Sequence, residues 1–340
     1  MFRQIIPPDT RIDFLGKWKA AVAASLLIIA AGLVSAAVQG VRWGIDFAGG
    51  TEVQLHFPEG TDAGEDAVRE VVQSVGVAEP TVVRFGEADR AEFQIQFAGG
   101  QAESEADAEL AGESDGEREG AGKQGQVIDR IRDALGSEIG PVVVDRVEFV
   151  GPKVGEELRR DGAWALTLSS LLILLYVALR FNLQFAPGGV VALIHDVLVT
   201  VAIWQLMGQT FDLQVLAALL AIIGYSINDT IVIFDRIREM LATHTKHDIV
   251  EVTNRAVNVT LSRTILTSLL TLLAVIALLA FAGEVIFPFT AVMGIGIVVG
   301  TYSTIFIASP VMLAMERWRS RRAGKPSPAK AAKRTRAARA

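Results

Sequence analysis

The sequence contains, at residues 213–234, the apolar stretch LQVLAALLAIIGYSINDTIVIF, in which Asp229 is the single charged residue. A helix of this length crosses the roughly 30 Å hydrocarbon core of a bilayer. Lipid offers no hydrogen-bond partner to an open backbone, so the stretch predicts a membrane-spanning helix. An ionisable group inside such a helix is costly, which makes Asp229 the first candidate for a functional residue.

Five further stretches of similar character lie before and after this one, in a chain of 340 residues that is 51% hydrophobic. The sequence therefore predicts six membrane spans. The first is preceded by Lys17 and Lys19, as a signal peptide would be, but it exceeds the usual ~7–15 apolar residues and more spans follow it. We therefore favour a retained span over a cleaved one. The other predicted spans cover residues 20–38, 163–180, 187–207, 264–283 and 286–315.

Lys and Arg are unevenly distributed between the connections. They are frequent in residues 1–19, 235–263 and 316–340, whereas the short connections after the third and fifth spans contain none. Short basic segments stay on the cytoplasmic side of a membrane, while long domains cross it regardless of charge. Both termini are therefore expected in the cytoplasm, and the long segment 39–162 is expected outside.

The long segment between the first two spans has the pattern of a small α+β domain. Polar and apolar residues alternate in EVQLHF (52–57) and EFQIQF (92–97), as in strands with one buried face. The predicted elements follow the order β-α-β-β-α-β, which favours a ferredoxin-like split βαβ fold. Their expected bounds are residues 50–57, 62–76, 81–85, 92–97, 126–135 and 141–149.

Three segments have polar or biased compositions. Residues 99–126 are acidic and rich in Gly and Ala, which predicts a disordered external insert; a calcium site is disfavoured because no EF-hand spacing is present. The connection 235–263 is interpreted either as amphipathic helix at the membrane surface or as a solvated connector. The basic tail 316–340 is expected to hold the orientation rather than to bind anionic lipid or ribosomal RNA, and no specific nucleic acid is expected.

Asp229 shares a helix face with Tyr225 and Ser226, which precede it by four and three residues. Surroundings of low dielectric disfavour a charged carboxylate, so such a group can take up and release a proton near neutral pH. The alternative is a structural hydrogen bond between helices. Asn228 is included with Asp229 in the candidate proton-coupling site.

His195 and Asp196 form a second polar pair, inside the third predicted span. Pro187 is expected to begin that helix, which puts the pair roughly 12–14 Å along it at a rise of 1.5 Å per residue. A His–Asp pair can relay protons or fasten helices together, and the sequence leaves both interpretations open.

Two other features of the spans have ordinary structural explanations. Arg263 opens the fifth span, where an arginine can extend to water, so its spacing alone does not give it a function. Gly296 and Gly300 in the sixth span have the small-xxx-small spacing that permits close helix packing.

The chain contains no cysteine, which excludes a disulfide framework, a cysteine nucleophile and a thiolate metal site. Its sequence also lacks the H-E-x-x-H, G-x-S-x-G and P-loop motifs. We therefore do not expect an enzyme, and no cofactor or metal is expected.

Longer motifs occur in a fixed order: GIDFAGG at 44–50, VGPKVGEEL at 150–158, GYSINDT at 224–230 and SRT at 262–264. Together with the layout of one span, a large domain and five spans, they resemble the SecF family of protein-export membrane subunits. That family is part of the SecD/SecF family, in the RND-like superfamily. The resemblance covers about residues 14–315. The residues that carry the first two motifs are Gly44, Asp46, Gly49, Gly50, Gly151 and Pro152.

The resemblance implies half of an RND-type transporter, a membrane bundle of six α-helices with an external α+β ferredoxin-like domain, in the bacterial plasma (inner) membrane. Its implied role is to act with a SecD-like protein, using the proton-motive force in late steps of polypeptide export through the SecYEG channel. YajC would be a further partner. Asp229 would be the proton-responsive carboxylate, Arg263 a cation near the proton path, and the external domain would contact the emerging unfolded polypeptide.

Two alternatives stay open on the sequence. The first is half of an RND-type exporter of small molecules or lipids, which would need a substrate cleft in the external domain. The second is a structural stabiliser of the translocon, in which Asp229 and Arg263 serve assembly rather than transport.

Overall fold

The computed structural model describes residues 10, 12–58, 60–61, 63–77, 80–85, 91–97, 116–180, 186–243, 248–281, 283 and 286–322. The chain divides into two compact units. One is formed by Trp43–Ala163, and the other by the segments before and after it.

The unit Trp43–Ala163 is a four-stranded sheet with helices. The strands lie in the order β2-β3-β1-β4, and every neighbouring pair is antiparallel. This order results when each of two βαβ units has a strand of the other inserted between its own, so the ferredoxin-like prediction is confirmed. The elements are α2 (Ile45–Ala48), β1 (Gly50–Phe57), α3 (Glu65–Ser74), β2 (Thr81–Phe85), β3 (Ala91–Phe97), α4 (Gly116–Glu138) and β4 (Val143–Val150).

The core of this unit lies between the sheet and helices α3 and α4. The alternation of β1 buries Leu55, and its antiparallel partner Phe93 on β3 is buried on the same face. Val68 of α3 and Ile131 of α4 belong to the same cluster of buried residues. The period of two in the strands thus fixes which face of the sheet the helices cover.

Helix α4 begins at Gly116, inside the segment 99–126 that the composition predicts as disordered. That part of the prediction was wrong. Residues 117–124 combine Glu, Arg, Ala and Lys, which favour helix, with two glycines, which do not, and they extend a helix that is held to the core at Ile131 and Leu135. Residues 98–115 lie outside the described residues.

The other unit contains helices long and apolar enough to cross a membrane, and with α5 the described residues supply six such helices. In their most apolar parts, the spans α6, α7 and the last one are about half buried within the unit, whereas few residues are buried in those of α1, α5 and α8. The helices are α1 (Trp18–Gln39), α5 (Pro152–Arg180), α6 (Ala186–Leu206), α7 (Leu213–Thr243), α8 (Ile249–Phe281), α9 (Phe287–Ser303) and α10 (Ser309–Arg322).

Helices α7 and α8 extend through most of the connection 235–263. Most of the connection is therefore helical, with residues 244–247 outside the described part, and its position at the membrane surface stays a prediction. Ile237 and Met240 of α7 pack in one buried cluster with Val252 and Val257 of α8, which explains why the helices continue beyond the predicted spans. Helix α5 likewise begins at Pro152, ahead of the predicted span.

The sixth span changes its pitch at one place. Residues Thr304–Ala308, between α9 and α10, form a π-helical turn. A π-turn holds one residue more than an α-turn and is frequent near functional sites. Thr304 of this turn lies 3.3 Å, hydroxyl to hydroxyl, from Thr230 of α7.

The segment before α1 is fixed to α8 by two asparagines one helical turn apart. Asn258 Oδ1 accepts the backbone N–H of Ile12 at 2.9 Å, and Asn254 Oδ1 accepts that of Phe14 at 3.0 Å. Both side-chain amides donate to the carbonyl oxygen of Ile12. These bonds supply partners for backbone groups of a segment that pairs with no strand among the described residues.

Candidate functional site: a polar layer within the membrane helices

Helix α7 places Asp229 inside the bundle. Its side chain is only 5% exposed, although a carboxylate is among the groups least often buried. Asp229 Oδ2 has no hydrogen-bond partner within the part of the chain that the structure describes. Ser226, one turn earlier, and Thr230 are also buried, so α7 directs a polar face into the unit.

The cation that interacts electrostatically with Asp229 is Arg263, on α8. The two residues lie on separate helices, and the structure brings their charges into interaction because α7 and α8 pack together. Thr264, beside the arginine, is 1% exposed, and its hydroxyl has no partner among the described residues. The result is a buried acid with an opposing cation and no neutralising hydrogen bond at Oδ2.

Asn228 and Tyr225 differ from Asp229 in their surroundings. Asn228 is exposed, because the next position along a helix is turned by about 100°. Tyr225 is partly buried, and its hydroxyl has no hydrogen-bond partner in the described structure. The structure therefore groups Ser226 with Asp229 on the inner face and does not bring Asn228 to it.

His195 and Asp196 on α6 form the centre of a second polar cluster. His195 Nδ1 lies 3.0 Å from Asp196 Oδ1, and both residues are buried. Ser226 Oγ of α7 donates a short hydrogen bond to Asp196 Oδ2. Ser226 lies on the helix face predicted for it, and there it bonds directly to Asp196, one turn from Asp229.

The cluster continues to two further helices. His195 Nε2 lies 2.8 Å from Ser25 Oγ on α1, and Ser25 Oγ lies 2.7 Å from the hydroxyl of Tyr302 on α9. Tyr302 donates to the carbonyl oxygen of Ala21 at 2.5 Å. Sequence reasoning missed Ser25 and Tyr302. The available signal was weak, because each is one of several residues with a hydroxyl group in its span, among them Ser35 in the first span and Thr301 in the sixth.

Glycines allow α7 and α9 to approach closely. A Cβ atom at Gly300 would lie 3.1 Å from Ser226 Cβ, and one at Gly296 would collide with the side chain of Ile222. These are the two glycines whose spacing predicts close packing. They bring α9 to the face of α7 that carries Ser226.

The glycines of the first two motifs meet in the other unit. Gly49 has φ of 74°, in the left-handed region, and a Cβ atom there would lie 2.8 Å from Pro152 Cα. A Cβ atom at Gly155 would lie 2.9 Å from Gly49 N. Two motifs about a hundred residues apart in sequence thus form one close backbone contact, and Gly155 belongs to it although the sequence did not single it out.

Two family models match the chain. The model for the SecD/SecF GG motif matches residues 34–57, and the model for the C-terminal part of the protein-export membrane proteins SecD and SecF matches residues 131–318. The first match includes Gly49 and Gly50, and the second includes His195, Asp229 and Arg263.

Curated proteins similar to the chain are named protein translocase subunit SecF. That of Calditerrivibrio nitroreducens is 39% identical over 94% of this chain and 99% of its own length. That of Desulfurispirillum indicum is 41% identical over 91% of this chain and 92% of its own. That of Pseudomonas aeruginosa is 39% identical over 89% of this chain and 90% of its own.

Solved structures give the same result. The crystal structure of SecDF, a translocon-associated membrane protein from Thermus thermophilus, matches with a TM-score of 0.75 and 33% identity over 91% of this chain. SecDF in a super-membrane-facing form matches with a TM-score of 0.62 and 33% identity over 93% of this chain. The chain spans 39% and 40% of those two solved chains.

The six apolar helices of the described residues, a ferredoxin-like domain and these matches define a multi-pass membrane protein of the SecD/SecF protein-export class. Within that class, the chain belongs to the SecF family of protein translocase subunits.

Proposed function

We propose that this chain acts with a SecD-like partner to use the proton-motive force in late steps of polypeptide export through a SecYEG channel. The observation that carries the proposal is Asp229, a buried carboxyl group with an unpartnered oxygen, opposed by Arg263 from the neighbouring helix. Such a pair can respond to a proton, because protonation removes one of two interacting charges. YajC, as a further partner, is part of the same proposal.

Proton binding at Asp229 would act on helix packing. When the carboxyl group is neutral, its attraction to Arg263 disappears and the balance between α7 and α8 changes. A charge that crosses the full membrane field gains about 2.3 kcal/mol per 100 mV. Differences of a few kcal/mol shift a two-state population strongly, so the available energy suffices. Asn228, exposed beside Asp229, is included as the polar residue from which a proton path could begin.

The proposed orientation follows from the distribution of Lys and Arg. Both termini lie in the cytoplasm of a bacterial cell, and the domain Trp43–Ala163 lies outside the plasma (inner) membrane. There the domain can contact the unfolded polypeptide that leaves the channel, while the spans contact the bilayer and the SecD-like protein.

The test is export into vesicles that contain the SecD-like partner, this chain and the SecYEG channel. Asp229→Asn keeps the shape of the side chain but cannot bind or release a proton, so we expect the part of export that depends on the proton-motive force to be lost. Glu239→Gln is the matched control, because Glu239 is an exposed acid on the same helix, paired with Arg236. Its export should equal that of the unsubstituted chain.

Other outcomes separate the alternatives. Normal proton-dependent export by a fully assembled Asp229→Asn complex would contradict the proposal. Loss of the assembled complex itself would indicate the structural stabiliser. Co-purification of a periplasmic adaptor protein, instead of SecD-like and SecY-like proteins, would indicate an RND-type exporter.

A further inference from the structure

The polar cluster around His195 has a defined number of protons. Heavy-atom positions do not show hydrogens, so protonation follows from counting donors and acceptors. At one end, the carbonyl oxygen of Ala21 accepts, so the bond at 2.5 Å uses the hydroxyl proton of Tyr302. The contact between Tyr302 and Ser25 at 2.7 Å must then use the proton of Ser25.

His195 Nε2 must therefore be a donor. Ser25 Oγ has a single proton, which is shared by its contacts with Tyr302 and, at 3.2 Å, with the carbonyl oxygen of its own helix at Ala21. The remaining contact of Ser25, at 2.8 Å to His195 Nε2, needs a proton on the imidazole nitrogen.

At the other end of the cluster, Ser226 donates to Asp196 Oδ2. Between them, His195 Nδ1 and Asp196 Oδ1 lie 3.0 Å apart. With Nε2 already protonated, a neutral imidazole would turn the lone pair of Nδ1 toward a carboxylate oxygen, which is repulsive. The distance is consistent with a proton between these two atoms, either on the imidazole or on the carboxyl group.

Removal of that proton leaves one of the contacts between Asp196 and Ala21 without a hydrogen atom to form its bond. A carboxylate holds its donor more strongly than a neutral oxygen does, so His195 keeps its proton on Nδ1. Nε2 then accepts from Ser25, and Ser25 accepts from Tyr302. The contact left without a proton is the one between Tyr302 on α9 and Ala21 on α1, where two oxygens at 2.5 Å would repel.

We propose that His195 and Asp196 hold one exchangeable proton, and that its loss opens the hydrogen bond between Tyr302 of α9 and Ala21 of α1. The pair is a proton-binding site in addition to Asp229, and its state is transmitted to the contact between the first and sixth spans. Its importance for export rests on the proposed function, but the proton switch itself does not.

Few other ionisable groups lie on the described helices that pack against α6. Helix α1 carries only Lys19, which is exposed, and α9 carries only Tyr302. The π-turn has none, and α10 has Glu316 and arginines beginning at Arg317. On α7 the nearest are Tyr225 and Asp229, one residue before and three residues after Ser226.

The test is to determine the tautomer of His195 as a function of pH. Nitrogen NMR of the full chain, in lipid with its SecD-like partner, measures it. The chain has four histidines, and loss of one signal in His195→Gln assigns the resonance. We expect Nε2 to carry hydrogen at low pH and Nδ1 to be the sole protonated nitrogen at high pH. A single tautomer at every pH at which the unsubstituted chain stays folded would overturn the proposal.

Tyr302→Phe tests the transmission to α9. Without the hydroxyl, Ser25 gives up only its longer 3.2 Å contact with the carbonyl oxygen of Ala21 when it donates to Nε2. The ratio of Nδ1–H to Nε2–H at a fixed intermediate pH should therefore rise, by up to about fivefold, the effect of one net hydrogen bond. Tyr176→Phe is the control, because Tyr176 is 54% exposed on α5. Equal ratios in the two variants would contradict the transmission. Asp196→Asn should abolish the tautomer switch, and a retained switch would refute the shared proton.

The two proposals fail separately. In Asp229→Asn, the tautomer switch of His195 should persist whether or not export is lost. Normal export with a switching His195 would contradict the proposed function alone. Lost export with a His195 that never switches would contradict only the present inference.

Discussion

At the scale of single residues, the position of Arg263 in the sequence does not reveal which residue its charge acts on. It is exposed and begins a predicted span, which is the usual position of an arginine that extends to water. The structure adds that its charge acts on Asp229, a buried acid on another helix. The pair depends on the packing of α7 against α8, which no local pattern encodes.

Arg263→Gln should reduce export that depends on the proton-motive force nearly as much as Asp229→Asn does. The reason is that a neutral partner removes the charge that opposes Asp229, so protonation of the acid no longer changes an attraction between α7 and α8. Arg263→Lys keeps the charge and should retain part of the activity. The measurement is export into energised vesicles, with Arg238→Gln, an exposed arginine of α7 paired with Asp235, as control. Equal activity of the Gln and Lys variants would show that the charge is not what matters.

Ser25 and Tyr302 could not have been predicted as partners. Hydroxyl side chains are common in membrane helices, where they often bond to their own backbone. These two are 277 positions apart, and both lie beside His195 because α1, α6 and α9 pack together. Asp229 and His195 were predicted as candidates from sequence for the opposite reason, since an ionisable group in an apolar span is rare.

At the scale of elements, α7 and α9 are held together by small residues. Gly296→Ala should destabilise the folded chain by about 1–3 kcal/mol, because the added methyl group meets the side chain of Ile222. Gly224→Ala is the matched control: it lies in α7, and nothing is within 4 Å of its Cβ position. That change should be neutral or stabilising by up to about 1 kcal/mol. Thermal unfolding in detergent measures both, and equal melting temperatures would contradict the contact.

The elements differ in how well the sequence specified them. The strand predicted at residues 50–57 is β1 without change, because alternation and flanking glycines agree there. Helix α4 was predicted too short, because its first turns have no apolar face and propensity alone is a weak signal. The ends of α7 and α8 extend beyond the predicted spans. Hydropathy detects only the part of a helix that lies in the membrane, whereas these helices continue as far as their side chains pack against each other.

At the scale of the whole molecule, the order of one span, a folded domain and five spans was predictable. Apolar length and strand alternation are strong signals, and they need no knowledge of distant contacts. The polar cluster was not predictable, since it joins segments from opposite ends of the chain. The contact of Gly49 with Pro152 was not predictable either, since it joins segments from opposite ends of the long domain.

Orientation is the property of the whole molecule that can be tested directly. Ala67 of α3 and Ala242 of α7 are exposed, and the chain has no cysteine of its own. In intact cells stripped of any outer membrane, a maleimide that cannot cross the plasma membrane should label Ala67→Cys. It should label Ala242→Cys only after the cells are opened. The unsubstituted chain is the blank, and the reverse pattern of labelling would invert the proposed orientation.

The π-turn of the sixth span has a consequence for chain length. The buried side of this span passes through Gly296, Gly300 and Thr304 in steps of four, takes one step of five to Ser309, and resumes with Leu313. Each residue rotates an α-helix by about 100°, so a deletion elsewhere in the span would turn one end away from its neighbours. Removal of one residue within Thr304–Ala308 would instead convert the wide turn into an ordinary one and leave both ends in phase. The span therefore has one position at which its length can change by a residue without rotating either half.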